Sequence, residues 1–149
     1  MAFKFPSDEW IQEFSRQLNA SPEYERSGQV WEGDFLFIIE ADEAYPETVY
    51  MYLDLFHGKC RRAAQLSRLD EVQTGYILSA TYSTWRKVIE GKLDPIQGLM
   101  TRKLKLKGDL LQVMRYPKAA KDMVNCVLRV PSDFTSSKPP SGSPLNAQA

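Results

Sequence analysis

Apolar positions along this chain recur with two different periods, and the switches between them delimit its elements. Trp10, Ile11, Phe14 and Leu18 repeat at helical spacing, which predicts an amphipathic helix with one buried stripe. Ser7 stands before it as an N-cap, and Asp8 and Glu9 in the first turn oppose the positive end of the helix dipole. Ser21-Pro22 starts a second short helix running to about Arg26, stopped at Gly28. The period then becomes two. The run Phe35-Leu36-Phe37-Ile38-Ile39 within Trp31–Glu40 is too short for a typical helix and reads as a central strand buried on both faces. In the next strand Val49, Met51, Leu53 and Leu55 alternate with Tyr50, Tyr52, Asp54 and Phe56. His57-Gly58 turns the chain into Lys59–Leu66, whose Arg61 and Arg62 suit a sheet edge. Tyr76–Tyr82 supplies a fourth strand.

From Ser83 to Asp109 the punctuation is dense. Ser83 is placed to cap a helix that buries Trp85, Val88 and Ile89, with Gly91 at the left-handed position past its end. Asp94-Pro95 repeats the start signal for a further short helix. In Lys103–Lys107, Leu104 and Leu106 face one way and the three lysines the other, predicting a half-buried fifth strand. Gly108-Asp109 ends it and caps the next helix. There Leu110, Leu111, Val113 and Met114 precede Pro117, and Ala119, Ala120, Met123, Val124, Val127 and Leu128 continue an apolar face.

The run Trp85…Gly91-Lys92-Leu93-Asp94-Pro95…Met100…Lys103-Leu104-Lys105-Leu106-Lys107-Gly108-Asp109-Leu110 resembles the lipid-binding domain of the sterol carrier protein type two family. Arg102 stands where that family usually has a glycine before Lys-Leu-Lys. A weaker likeness extends over roughly Phe3 to Val130. The resemblance implies an α+β fold, a five-stranded, mostly antiparallel sheet covered on one face by about five helices. It also implies an apolar tunnel between the layers for fatty acids, acyl-CoA esters, sterols or isoprenoid lipids. Carried over through the shared motif, the tunnel lining would include Trp85, Ile89, Met100, Leu104, Leu106 and Leu110. From the pattern alone Leu111, Met114 and Met123 join them, because unbranched methionine adapts to irregular ligands.

Composition agrees with one domain: 149 residues, 43% of them apolar, can bury a sizeable core. We expect that domain over residues 1–130, with a flexible Ser/Pro-rich tail over 131–149. Net charge is zero but unevenly spread, with three basic and eleven acidic residues in 1–50 against sixteen and eight in 51–149. The simplest consequence is two halves that complement each other. The other is a basic face meeting anionic lipid headgroups or acyl carriers, with Lys103, Lys105 and Lys107 as a transient membrane contact. Cys60 and Cys126 match no metal-ligand spacing and suggest a reducing compartment. No signal-peptide core or membrane-spanning run is present. The chain ends Ala147-Gln148-Ala149, not in the peroxisomal Ser-Lys-Leu, so a cytoplasmic protein is expected.

The search for chemistry yields little. His57 is the single histidine and falls at a turn, and Gly-x-Ser-x-Gly and Gly-x-Gly motifs are absent. Asp42, Glu43 and Glu47 read as a solubilising loop rather than a metal site. No aromatic residue interleaves with Lys103, Lys105 and Lys107, as single-strand nucleic-acid binding would require. The expectation is therefore a non-catalytic protein with no cofactor, no metal and no nucleic-acid partner; the family resemblance adds that it binds and transfers lipid noncovalently. The alternative is an accessory module with a filled core, holding a partner protein or presenting a lipid-like intermediate to a biosynthetic enzyme. Oligomeric state is not readable from the sequence.

Overall fold

Side-chain caps and alternating strands set the order of elements. The computed structural model describes residues 2–135. After β1 (Phe3–Lys4) come α1 (Asp8–Asn19) and α2 (Pro22–Ser27). Then follow strands β2 (Glu32–Glu40), β3 (Val49–Phe56) and β4 (Lys59–Leu66), a single helical turn at Leu69–Glu71, and β5 (Tyr76–Thr81). Helices α3 (Tyr82–Ile89) and α4 (Pro95–Met100) lead to β6 (Lys105–Lys107). The described chain closes with α5 (Leu110–Met114), α6 (Pro117–Leu128) and β7 (Ser132–Asp133).

The fold is α+β, as expected, with a five-stranded sheet in the order β4-β3-β2-β5-β6. Every pairing in it is antiparallel except β2 with β5. Its central strand, β2, is buried on both faces. Phe35, Phe37 and Ile39 enter the main core under the helices, while Leu36 joins a smaller cluster with Tyr52 and Leu66 on the opposite face. The edge position of β4 leaves Arg61 and Arg62 in solvent, where Arg61 pairs with Asp54 at 3.1 Å.

Capping decides where the helices begin. The Ser7 and Ser21 hydroxyls accept from Trp10 N and Tyr24 N, both at 3.1 Å, and the Asp109 carboxylate accepts from Gln112 N at the same distance. One expected start is corrected. Thr81, not Ser83, caps α3, because its hydroxyl accepts from Thr84 N at 3.2 Å. Ser83 N donates instead to Asp42 Oδ2 at 2.9 Å, and Tyr82 turns inward to full burial. Asp94 precedes α4 without a side-chain bond to its N–H groups, leaving Pro95 as the start signal.

The fifth strand is shorter than its alternation suggested. Leu104 N donates to Gly98 O at 3.0 Å, closing the end of α4, so the ladder begins only at Lys105. Leu104 then packs against Gly98, where an added Cβ would sit 2.8 Å from its Cδ1. Arg102, in the family's glycine position, has a left-handed φ of 63° immediately after α4. A side chain there costs about 1–2 kcal/mol. Arg102→Gly is expected to raise stability by roughly 0.5–1 kcal/mol, measurable as a higher denaturant midpoint. Gly91 has the equivalent conformation past α3 (φ 78°), as its position in the sequence predicts.

Two further ties hold the helical layer. Trp10 Nε1 donates to Ser132 Oγ at 2.7 Å, joining α1 to β7, which itself runs parallel to β1. Phe134 packs edge-on to Phe5, so ordered pairing continues past Pro131. The remainder of the expected tail, residues 136–149, lies outside the described residues. On α6, Asp122 is only 3% exposed; it accepts from Ser27 Oγ of α2 at 2.7 Å and from Lys118 Nζ at 2.9 Å. Burial opposes its charge, but the Ser27 and Lys118 bonds together with the nearby Lys118 and Lys121 charges outweigh burial and hold its pKa below the usual carboxylate value. This stabilisation is present above the ordinary carboxylate range and is lost as pH falls through the depressed folded-state value. Asp122→Asn is expected to melt lower than the parent at neutral pH. The difference should close below about pH 4, as a thermal melt series against pH would show.

Candidate apolar cavity

The inner face of the sheet does not meet the helices everywhere. Between them lies a cavity of about 130 Å³. Its floor is Phe35, Phe37 and Ile39 of β2, Met51 of β3 and Leu78 of β5; Phe5, Trp10, Ile11 and Phe14 form one side. Trp85, Val88 and Ile89 of α3 form another, and α4, α5 and α6 supply Pro95, Ile96, Leu99, Val113, Ala120, Met123, Val124 and Val127. The floor and the α1 and α3 walls are mostly buried. Ile96, Leu99, Val113, Ala120, Met123 and Val124 are half-exposed, so the cavity reaches solvent between the three C-terminal helices.

Packing explains why these walls are held in place. Phe35 and Phe37 stack in parallel at 5.6 Å, and Trp85 meets Phe37 edge-on at 5.6 Å. Trp85 Nε1 donates to Ile38 O at 2.9 Å, which fixes the indole across β2. Trp10 Nε1 is likewise committed to Ser132. No lining residue is ionisable, and both indole N–H groups, the only side-chain donors in the wall, are bonded elsewhere. The cavity can therefore bury hydrocarbon but offers no side-chain polar anchor. A second cavity of about 50 Å³ lies alongside, bounded by Tyr24, Trp31, Leu55, Tyr116 and Ala119. Phe35, Val113, Ala120 and Met123 belong to both.

Of the side chains expected from sequence, the structure brings Trp85, Ile89 and Met123 to the cavity wall. It places the others elsewhere. Leu104 is fully buried in the core beside Gly98, and Leu106 is half-buried on β6 opposite Leu78. Met114 is half-buried on α5 away from the wall. Met100, Leu110 and Leu111 are 65%, 46% and 75% exposed. For the residues on helices, Met100, Leu110, Leu111 and Met114, the physical reason is helix phase. Helices α4 and α5 have six and five residues, and the sides they turn to the cavity are taken by Pro95, Ile96, Leu99 and Val113. The α1 stripe of Trp10, Ile11 and Phe14 was legible as a buried face; that a void lies beneath it was not.

The other candidates lie apart from the cavity. His57 has a left-handed φ of 51° in the β3–β4 turn and sits 2.6 Å from Glu32 at the surface. Cys60 and Cys126 are buried, unbridged thiols whose pKa burial raises. Among the described residues no cluster of side chains could hold a metal ion, and no helix is long and apolar enough to cross a membrane. Arg102 is exposed and forms no part of the cavity wall.

Comparison with known proteins places this arrangement. The model of the SCP-2 sterol transfer family matches residues 11–121. A crystal structure of sterol carrier protein 2 is similar with a TM-score of 0.74 and 31% identity, over 83% of this chain and 97% of that one. The solution structure of a conserved hypothetical protein from Thermus thermophilus gives 0.75 and 33%, over 84% and 88%. Apo sterol carrier protein 2 from Yarrowia lipolytica, at 18% identity and a TM-score of 0.53 over 81% and 88%, shares the fold. A search of curated protein sequences finds no match.

Proposed function

The chain belongs to the SCP-2 sterol transfer family, and from that premise we propose that its apolar cavity binds and carries a lipid noncovalently. Membership carries lipid binding and transfer in general, on a fold that is generally non-catalytic. The finer reading is that the ligand is a fatty acid, acyl-CoA, sterol or isoprenoid. One observation supports it above the rest: a wall made wholly of apolar side chains whose two indole donors are spent elsewhere. Affinity then comes from burial. Each methylene contributes about 0.8 kcal/mol, so about a dozen give on the order of 10 kcal/mol gross. Lost rigid-body freedom offsets a good part of it. Without an anchor, one methylene more or less at about 0.8 kcal/mol changes affinity only about fourfold, so selection among lipids is broad.

A cavity of about 150 Å³ accommodates benzene, so 130 Å³ is too little for a long chain. Binding requires the walls to part. Met123 stands where the two cavities adjoin, and its unbranched thioether is flexible enough to change rotamer there. Met123→Ala is expected to join them and strengthen binding of long acyl chains over short ones, read by displacement of a fluorescent fatty acid.

The small volume also supports the second reading, an accessory module with a filled core that binds a partner or presents a lipid-like intermediate. Native mass spectrometry of the purified protein separates the two. A noncovalent adduct of a few hundred daltons, lost on denaturation and identified in a lipid extract, supports the carrier. A bare mass that stays bare after addition of fatty acid, acyl-CoA and isoprenoid overturns it.

A further inference from the structure

The second cavity differs from the main one in the chemistry of its wall. Trp31 spends its indole N–H on the Gly33 carbonyl at 3.0 Å. Tyr24 and Tyr116 also border the cavity, and their phenol hydroxyls make no hydrogen bond among the described residues. Tyr116 is half-exposed, so water can serve its hydroxyl. Tyr24 is 1% exposed. A phenol buried to that degree ordinarily has a partner, because desolvating a hydroxyl without one costs free energy. Gly28 shows how closely the chain approaches that end of the ring: an added Cβ would stand 3.0 Å from Cζ, the carbon that carries the hydroxyl. The group is also held un-ionised. Burial pushes its pKa up, and the Cys60 and Cys126 thiols of β4 and α6 act in the same direction. Nothing in the described fold uses this hydroxyl.

We propose that the second cavity is a head-group subsite, in which the Tyr24 hydroxyl donates to a neutral oxygen of a lipid whose hydrocarbon fills the main cavity. The inference rests on the lipid-carrier reading and deepens it by naming the head that is carried. The dimensions fit one small group. About 50 Å³ exceeds the roughly 10–15 Å³ that one water requires, which admits a hydroxyl or carbonyl on its carbon and leaves no room for a sugar. The two cavities share Phe35, Val113, Ala120 and Met123. A lipid lying across these residues would set its chain against the main wall and its polar end near Tyr24. Charge selects the kind of head. The second wall holds no cationic side chain. Beside its lining positions, Lys118 is paired with the buried Asp122, while Arg115 and Lys121 are exposed. An ionised carboxylate would there exchange its hydration for a single phenol hydrogen bond, whereas an alcohol, ketone or ester oxygen has far less hydration to lose. Chain length remains weakly selected in the main cavity; the head decides.

The test measures binding of dodecan-1-ol and dodecanoate to the full chain at neutral pH. Tryptophan fluorescence reports it, since Trp10 and Trp85 border the main cavity and Trp31 the second. The parent protein is expected to bind the alcohol at least about tenfold more tightly than the carboxylate. Tyr24→Phe removes only the hydroxyl. It is expected to lower alcohol affinity about tenfold, to change dodecanoate affinity by less than about twofold, and to keep the parental melting temperature. Ala119→Val is the second variant, because Ala119 borders the second cavity and not the main one. Its added methyl groups fill the subsite, and the preference for the alcohol is expected to disappear. The infrared carbonyl band of bound dodecan-2-one gives a direct readout: it should lie lower in the parent than in Tyr24→Phe, as a hydrogen bond to the carbonyl requires. Equal affinity of the parent for alcohol and carboxylate overturns the proposal. Unchanged alcohol affinity or an unchanged carbonyl band in Tyr24→Phe also overturns it, and leaves the hydroxyl to water alone. A lower melting temperature with loss of both ligands does the same, since the hydroxyl would then be structural. Failure of the parent to bind either lipid refutes the carrier reading itself, whereas binding of both without preference refutes the head-group subsite alone.

Discussion

Ala120→Phe is expected to abolish uptake of long-chain lipid while leaving the fold intact. Ala120 lies on α6, half-buried, and its side chain borders both cavities. A cavity of about 150 Å³ takes a benzene molecule, so a phenyl ring attached at Ala120 would take up most of the 130 Å³ void. The ligand would lose the burial of about six carbons, about 5 kcal/mol at 0.8 kcal/mol each. Affinity for a fatty acid then falls on the order of 1,000-fold. The ring enters existing space, so any cost in stability stays at or below the roughly 1–3 kcal/mol typical of overpacking. Native mass spectrometry with added fatty acid and a thermal melt on the same sample check both halves. Undiminished uptake by a variant that melts like its parent would mean that the lipid sits somewhere other than this cavity.

The second large effect is on stability. Gly108 follows β6 with a φ of 138°, a conformation that side chains rarely adopt. An added Cβ would stand 2.7 Å from the Gly75 carbonyl oxygen and 2.9 Å from Tyr76 Cδ1. Both neighbours are at the start of β5, which the sheet holds against β2, so neither can yield cheaply. Backbone strain of about 1–3 kcal/mol adds to a comparable packing cost. Gly108→Ala is thus expected to cost roughly 2–5 kcal/mol, a fall in melting temperature on the order of 5–15 °C for a chain of this size. Gly75→Ala serves as the control. No atom lies within 4 Å of a Cβ there and its φ is not positive, so melting should be nearly unchanged or slightly raised. Equal melting of the two variants would refute this account of the turn.

Most helix starts, the main strands of the sheet and the general fold were legible in the sequence because they depend on local rules. Alternation at Val49–Phe56, Ser7, Ser21 and Asp109 as caps, and Gly91 past α3 each act within a few residues. Family membership was legible too, in the Gly91-Lys92-Leu93-Asp94-Pro95 and Lys103–Leu110 runs, and the family match over residues 11–121 agrees with it. The site was less so. A side chain lines a cavity only where elements from distant parts of the chain fail to close on one another, and no local pattern encodes that failure. Leu104 and Ile89 look alike as apolar positions. One packs against Gly98 because its N–H is drawn to the Gly98 carbonyl, and the other borders the void. By itself the sequence determined which faces are apolar; the tertiary structure alone decided which of those faces meet protein, which meet the cavity and which, like Leu111, meet solvent.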